Sequence, residues 1–363
     1  MNKKIIFKIK QIINNIKMSR RMFYRNKFFK QNFKKEDLNY LSSNESELAK
    51  RYWRKYTKKY KLMYTAYYSA RNKAFDKRYI PDDLYYFYID RYFNNYKKSY
   101  GIDDKNYYDK LLPNIKQPQT LLRKINGFYY DENYYLLKNP KIKNYVDYEK
   151  KYILKPSTEF QSKGGKGIVF IENLNTIDLD KMLLDSNNYI IQEQVKQHKN
   201  LNDIHPSSIN TIRIMSLLIK EEVHILSSVL RVGISDRKVD NGGIAIGIDK
   251  NGYLKDTGYK IDTRKEYTKH PNTNVVFEGC KIPNYDSIID IVIKEAKNFP
   301  DFRMISWDFS VNKNEEILFI EFNLKNGQLD FHQLANGPLF DELTDDVLQE
   351  VFQNKEGVKF VEK

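Results

Sequence analysis

Two pairs of apolar segments, each joined by a short polar turn, constrain the fold of this chain more than any other feature. The first pair comprises residues 209–219 and 223–232, and the second comprises residues 305–311 and 317–323. Apolar, β-branched and aromatic runs of this length, separated by a few polar residues, predict antiparallel hairpins. The carboxy-terminal half is therefore expected to contain an antiparallel sheet.

The first hairpin carries two arginines. A turn centred on Glu221 places Arg213 opposite Val229. The same register places Arg231 opposite Thr211. Residues two apart share a face of a strand, so the two guanidinium groups are diagonal neighbours on one face. Such a pair suggests recognition of phosphate or carboxylate, and two solvated strand arginines are the alternative.

The second hairpin carries oxygen ligands. Glu321 and Asn323 are two residues apart and share a face, and the turn places Asp308 across from residue 320 or 321. Burying an unpaired acid among aromatic residues is costly, and carboxylate and amide oxygens are ligands suited to Mg²⁺. The hairpin therefore predicts a magnesium site, whereas three unrelated polar residues at a sheet edge are the alternative.

The middle of the chain has features of a nucleotide site. Lys155 ends an apolar strand, Pro156 prevents its continuation as a helix, and residues 162–167 form a loop rich in glycine and lysine. Glycines let backbone N–H groups approach phosphates, and lysines supply point charges. The loop lacks the Gly-Lys-Ser/Thr sequence of a P-loop, and an ordinary glycine hairpin is the alternative. A later apolar strand, 189–195, ends near Glu193 and suggests a hinge for adenine.

The order of these parts resembles the sugar-transfer-associated ATP-grasp proteins of bacterial polysaccharide gene clusters, and is similar to α-L-glutamate ligase-related proteins. The matching segments run from about residue 100 to 350: Asp103-Asp104-Lys105, Lys155-Pro156, Gly164-Gly165-Lys166-Gly167, Gln192-Glu193, 207–213, 230–233, 239–243, Trp307-Asp308, Glu321-Phe322-Asn323 and 337–340. The resemblance implies an α+β fold in which two α+β subdomains clasp ATP, with a basic helical amino-terminal region outside it.

The resemblance also implies an ADP-forming carboxylate–amine ligase that works through an acyl phosphate in capsule or lipopolysaccharide modification. Its substrates would be ATP, a carboxylate and an amine, drawn from sugars or amino acids. The implied roles are catalysis by Asn210, Arg213 and Arg231, ATP binding by Lys105, Lys155, Gly164, Gly165, Lys166, Gly167, Gln192 and Glu193, binding of one or two Mg²⁺ ions by Asp308, Glu321 and Asn323, and substrate contact by Asp240, Asn241 and Gln333. The alternatives are a sugar phosphotransferase and a non-catalytic membrane- or nucleic-acid-binding module.

Positive charge is concentrated at the amino terminus. The net charge is +15, residues 1–35 contain twelve Lys and Arg and no acid, and residues 1–100 contain 26 basic against 8 acidic residues. The remaining 263 residues thus carry a net charge of −3, and no nucleic-acid partner is expected. Isoleucines at helical spacing predict a basic amphipathic helix, which either binds an anionic membrane surface or packs as an ordinary surface helix.

Aromatic spacing and composition complete the expectations. Tyrosines recur every fourth residue from Tyr52 to Tyr68, which predicts a stripe on one helix, either packed in a core or stacking on sugars or bases. Residues 94–101 suggest a linker.

The single cysteine and the lack of a long apolar run suggest a cytoplasmic protein, at most peripheral to the inner membrane. The expected organisation is a helical region 1–100, an entry segment 101–150, an ATP-grasp domain 151–350 and a tail 351–363.

Overall fold

The computed structural model describes residues 19–27, 35–138, 140, 145, 147, 149–158, 167–172, 187–261 and 263–353. Within them, apolar alternation and short turns give strands β1 (Thr120–Ile125), β2 (Phe128–Tyr130), β3 (Leu136–Leu137), β4 (Tyr152–Pro156), β5 (Val169–Ile171), β6 (Tyr189–Glu193), β7 (Thr211–Ile219), β8 (Glu222–Val232), β9 (Ile244–Ile248), β10 (Leu254–Lys260), β11 (Glu266–Tyr267), β12 (Met304–Val311) and β13 (Ile317–Asn323).

The strands form two antiparallel sheets. The first has six strands in the order β3-β2-β1-β6-β4-β5, and the second has seven in the order β11-β10-β9-β8-β7-β12-β13. The boundary expected at residue 150 passes through the first sheet, because strands from both sides of that residue pair with one another. Mixed helices and antiparallel sheets confirm the expected α+β class.

The two predicted hairpins form with the expected register. Arg213 pairs with Val229 and Thr211 pairs with Arg231 on strands β7 and β8. Asp308 pairs with Glu321 on β12 and β13, next to an irregularity in the register. Because β7 also pairs with β12 and places Arg213 beside Asp308, the arginines and the carboxylates share one face of the sheet.

Helices surround the sheets. They are α1 (19–27), α2 (Lys35–Leu38), α3 (Ser43–Arg54), α4 (Leu62–Asn72), α5 (Asp82–Leu84), α6 (Asp90–Phe93), α7 (Tyr96–Ile102), α8 (Tyr108–Leu111), α9 (Lys199–Ile204), α10 (Tyr285–Glu295), α11 (Leu329–Asn336) and α12 (Thr344–Gln353). A π-helical turn at Tyr85–Ile89 joins α5 to α6. Residues 96–101 therefore lie in a helix, and the expectation of a linker there is wrong.

The tyrosine stripe begins on α3 and ends on α4, with Tyr56 and Tyr60 in the connection between them, so its prediction as one continuous helix is wrong. Core packing is nevertheless its structural role. Tyr64 and Tyr68 of α4 are fully buried and pack with Val229 and Ala245 of the seven-stranded sheet. The amino-terminal helices therefore cover part of the sheet face that also carries the arginines.

Helix α11 runs across the same face of the seven-stranded sheet. It contacts β8, β9 and β10 on the sheet and α4 in the amino-terminal region. The basic helix predicted before residue 19 lies outside the described residues. Among the residues that the structure describes, no helix has the length and apolar character needed to cross a bilayer.

Candidate active site

Two lysines beside the six-stranded sheet, the first lobe, lie near a carboxylate of the seven-stranded sheet, the second lobe. Lys105 follows α7 in a short 3₁₀ turn, and its backbone N–H donates to the carbonyl oxygen of Ser157, which follows β4. Its ammonium lies 3.0 Å from the carboxylate of Glu321 on β13. Lys155, on β4, is also buried. The site therefore lies between the two sheets.

The protonation states of these groups suit anion binding. Burial, reinforced by the charge of Lys105, lowers the pKa of Lys155 to about 8. Burial opposes ionisation of Glu321, but Lys105, Arg213 and Lys155 outweigh it and hold the pKa of the carboxyl at about 2. Two ammonium groups thus act on one carboxylate, which Lys105 contacts directly. An additional polyanion, such as a triphosphate, would relieve their mutual repulsion.

Arg213 and Asp308 form a buried, doubly hydrogen-bonded ion pair. The guanidinium Nε lies 2.6 Å from Oδ1 and one terminal nitrogen lies 2.5 Å from Oδ2, while the other donates to Gln328 at 2.7 Å. Burial raises the pKa of Asp308, although Arg213 opposes that change. Planar guanidinium and carboxylate groups fix each other's orientation through such paired bonds.

Arg231 completes the row of charges on the sheet face. Its guanidinium lies 3.3 Å from Asp240 and 4.0 Å from Asp308. Burial, together with the neighbouring charge of Arg213, lowers the pKa of Arg231. The two arginines that the sequence places diagonally are therefore buried beside each other. The alternative of solvated strand arginines is excluded for both.

The oxygen donors fit a hard cation in part. Glu321 and Asn323 lie on one face of β13, and Asn323 pairs with Ser306, two residues before Asp308. Both Asp308 oxygens already accept from Arg213. Within the described residues no cluster of three or more His, Cys, Asp or Glu is arranged to hold a metal. A Mg²⁺ ion here would therefore depend on Glu321, Asn323 and substrate oxygens.

A cleft of about 640 Å³ opens beside the end of β6 and is lined by residues 193–196 and Leu318, among others. Glu193 forms an ion pair with Lys150, and its backbone N–H donates to Gln119. The Gln192 side chain is buried and donates to the carbonyl oxygen of Pro118. The predicted hinge therefore borders a cleft. The Gln192 amide, however, is used in a hydrogen bond to the segment that precedes β1.

Two predicted site residues have other roles in the structure. The Asn210 amide donates to the carbonyl oxygens of Leu201 and His205, so it holds the preceding loop rather than facing the arginines. The Gln333 amide donates to the carbonyl oxygen of Ile80 and accepts its N–H, so it joins α11 to the amino-terminal region. Burial of these amides was not evident from the sequence.

The structure describes some of the remaining predicted site residues. Asp240 contacts Arg231, and the Asn241 carbonyl oxygen accepts from Arg237 at 3.1 Å. Gly167 has a φ of 78°, which favours glycine. Gly164, Gly165 and Lys166 lie outside the described residues.

Sequence reasoning missed two polar residues of the site. Gln328 precedes α11 and binds Arg213, and His332 lies on α11 itself. His332 is completely buried. Burial lowers its pKa well below the ordinary value, and the positive charges of Arg213 and Arg231 lower it further. The four-residue spacing of Gln328 and His332 is the only sequence signal that could have linked them.

Two lobes with a phosphate-suited lysine pair and a carboxylate hairpin between them define the ATP-grasp class. The chain belongs to the sugar-transfer associated ATP-grasp family, whose model matches residues 87–349. This confirms the expected fold and the family resemblance.

Solved structures of ATP-grasp ligases are distantly similar. ATP-grasp ligase PsnB complexed with a minimal precursor is 15% identical, with a TM-score of 0.40, over 71% of this chain and 64% of that one. An L-amino acid ligase from Bacillus licheniformis is 15% identical, with a TM-score of 0.39, over 71% and 50%. The ADP complex of an N5-carboxyaminoimidazole ribonucleotide synthetase is 9% identical, with a TM-score of 0.39, over 62% of this chain. This chain spans 46% of that synthetase, and no curated protein matches its sequence.

Proposed function

We propose that the protein is an ATP-dependent ligase that joins a carboxylate to an amine, releases ADP and acts on bacterial surface polysaccharide. The observation that carries this proposal is the continuous row of buried charges between the lobes. The row runs from the lysine pair through Glu321 and the Arg213–Asp308 ion pair to Arg231. Such a row offers separate positions for a triphosphate and for a second anion on one face of the sheet.

The nucleotide would bind at the lysine end of the row. Lys105 and Lys155 would hold its phosphates, and the cleft beside residues 193–196 would hold its base. Glu321 and Asn323, together with phosphate oxygens of the nucleotide, would hold Mg²⁺. When bound, the cation would neutralise phosphate charge and align the transferring phosphoryl group.

The proposed reaction needs no protein nucleophile. An oxygen of the substrate carboxylate attacks the γ-phosphorus, the bond to the β-phosphate oxygen breaks, and ADP leaves. Arg213 and Arg231 stabilise negative charge on the transferring group. The amine then attacks the carbonyl carbon of the acyl phosphate, loses a proton and expels phosphate, which leaves an amide.

The family description, with its reference to sugar transfer, favours a sugar or sugar-linked substrate. We therefore infer that a uronic acid or amino acid supplies the carboxylate and that an amino sugar or amino acid supplies the amine. Capsule and lipopolysaccharide units carry such groups. The most direct evidence would be a comparison, by mass spectrometry, of the polysaccharide from cells with and without the active enzyme.

Attachment to the inner face of the membrane through residues 1–35 is part of the same proposal. The described part of this segment, helix α1, exposes Phe23 and Tyr24 beside Arg20 and Arg21. Exposed aromatic and basic groups together favour an anionic lipid surface. Flotation of the full chain with anionic and neutral vesicles tests this, because equal recovery with both would contradict it.

The ligase proposal is tested by measuring ADP and phosphate release from MgATP across a matrix of uronic acids, amino acids and amino sugars. Release that requires both a carboxylate and an amine, and that is lost in K105M and R213M, is the expected result. AMP formation contradicts the proposal. A phosphorylated sugar formed without any amine identifies a phosphotransferase instead.

A further inference from the structure

Histidine 332 is a buried polar group that the proposed mechanism leaves unused. It lies on α11, its side chain is completely buried, and its Nε2 atom has no hydrogen-bond partner among the described residues. An unpaired buried polar atom costs stability, so its presence next to a reactive site requires an explanation. Arg213 and Arg231 are the charged groups that act on it.

The surrounding hydrogen bonds favour one position of the ring proton. His332 Nδ1 lies 2.8 Å from Ser227 Oγ, and the Asn336 amide donates to the same oxygen at 2.8 Å. With its oxygen accepting from Asn336, the Ser227 hydroxyl satisfies its own proton by donating it to Nδ1. The neutral imidazole then carries its proton on Nε2. In this tautomer His332 Nε2–H is a hydrogen-bond donor without an acceptor in the part of the chain that the structure describes.

A second unpartnered donor lies on the strand beneath. Arg231 is buried, and its Nε atom has no hydrogen-bond partner within the described part of the chain. Ser227 and Arg231 lie four residues apart on β8, and therefore on the same face. The ring of Phe331, the residue before His332, is 6.0 Å from the Arg231 guanidinium. Helix α11 thus carries His332 onto the face that holds Arg231.

We propose that His332 Nε2–H and Arg231 form a seat for the carboxylate of the substrate that is to be activated. This inference rests on the proposed ligase function and adds a substrate-binding residue to it. A carboxylate accepts from several donors at once, and charge-assisted hydrogen bonds of this kind are the stronger ones. The neutral imidazole would supply a directed donor, and the guanidinium would supply the charge.

The position of the seat favours a carboxylate over a phosphoryl group. Lys105 and Glu321 lie at β13, whereas Arg231 and Ser227 lie on β8, and β12 and β7 separate these strands. The Arg231 guanidinium nevertheless reaches to 4.0 Å from Asp308, towards the centre of the row of charges. The nucleotide phosphates would therefore enter from the lysine side and the substrate carboxylate from the α11 side, so that the two meet beside the Arg213–Asp308 pair.

The first test uses the full chain labelled with ¹⁵N-histidine, with sodium acetate as the probe and sodium chloride as the ionic-strength control. The H332Q spectrum identifies the His332 signals. The expected result is an Nε2-protonated ring whose Nε2–H signal shifts saturably with acetate. An Nδ1-protonated ring, or a signal that acetate does not move, would overturn the proposal. A saturable shift with inorganic phosphate but not acetate would assign the seat to a phosphoryl group and overturn it as well.

The second test compares acetate affinity in variants by thermal shift. H332F removes both ring nitrogens and is expected to weaken acetate binding by about tenfold or more, the effect of losing one hydrogen bond to a charged group. H332Q keeps an N–H near the Nε2 position and should stay within about threefold of the wild type. H224Q, at a partly exposed histidine of β8, is the matched control. Wild-type acetate affinity in H332F would refute the seat.

The two proposals fail separately. Substrate-dependent ADP release together with wild-type acetate affinity in H332F would refute the carboxylate seat and leave the ligase intact. Acetate binding that depends on His332, without ADP formation from any substrate pair, would refute the ligase proposal and leave the carboxylate seat intact.

Discussion

Arg213 and Asp308 face each other across β7 and β12 and share two hydrogen bonds in a fully buried ion pair. Taking two charges out of water is costly, and the cost is offset only while both partners are present. The pair therefore has two separable roles. It keeps the sheet face free of an uncompensated charge, and it fixes a guanidinium at the centre of the site.

Removing one partner of this pair should destabilise the protein. R213M leaves Asp308 buried without its strongest partner, and the expected loss is about 3–5 kcal/mol in urea unfolding. The double variant R213M/D308L replaces both charges by apolar groups and should recover most of that loss, yet show no substrate-dependent ADP release. A double variant as unstable as R213M would contradict this account of the pair.

Nucleotide affinity should fall as the pH rises above about 8. The pKa of Lys155 is lowered to about 8 by burial and by Lys105, so the free enzyme loses this charge as the pH passes that value. Bound phosphates favour the ammonium form, so binding takes up a proton, and affinity should drop by up to about tenfold per pH unit. Calorimetric titration with a non-hydrolysable ATP analogue from pH 7 to 9.5 measures this slope.

The matched control for that slope is K155R. Arginine stays protonated over this range, so affinity should become nearly independent of pH while remaining measurable. The free energy of unfolding should change in the opposite direction, because Lys155 keeps its ordinary pKa in the unfolded chain. The cost of burying its charge is therefore complete below pH 8 and decreases as the pH rises, so stability should increase. An unchanged slope in K155R would assign the titration to another group.

Gly327 allows a close approach that a side chain would prevent. A Cβ atom there would lie 2.5 Å from Ser306 Oγ and 3.2 Å from the Tyr85 hydroxyl. G327A should therefore displace the loop that places Gln328 against Arg213, with a cost of about 1–3 kcal/mol and a clear loss of ADP release. G101A is the control, because nothing lies within 4 Å of that position. Equal effects of the two substitutions would disprove the steric argument.

The register of both hairpins was predictable because the period of a strand is two and a short turn fixes which residues pair. This is why Arg213, Arg231 and the Asp308–Glu321 pair were found from the sequence alone. The extent of the helices was less predictable. A four-residue repeat of tyrosine continues through the break between Arg54 and Leu62, since spacing alone does not reveal where a helix ends.

Side-chain roles that depend on distant partners were not predictable. Asn210 and Gln333 look like polar site residues in the sequence, but backbone groups of other segments use their amides. The burial of His332 beside Arg213 and Arg231 was not evident either, because those arginines lie about a hundred residues earlier in the chain. Such contacts arise only when α11 packs across the sheet.

Arg25 of helix α1 and buried Asp82 of α5 connect the first described helix to the packed helices of the amino-terminal region. The guanidinium lies 2.9 Å from the carboxylate and stacks 3.6 Å from the ring of Tyr86. Burial raises the pKa of Asp82 to about 6, although Arg25 opposes the rise. Asp82 is fully buried, whereas the Arg25 side chain is 32% exposed, so the pair is only partly shielded from solvent.

R25M should therefore destabilise the protein by about 2 kcal/mol at pH 8, less than a fully buried pair would lose. The deficit should shrink towards pH 5.5, because an acid with a raised pKa binds its proton in the folded state before the unfolded chain does, and protonation removes the unpaired charge. D82N does not leave a buried charge, so R25M/D82N should show no such pH dependence. Urea unfolding at both pH values measures the loss of stability relative to the wild type. An equal loss in R25M at pH 5.5 and pH 8 would show that the lost ring contact with Tyr86, rather than the charge, accounts for the effect.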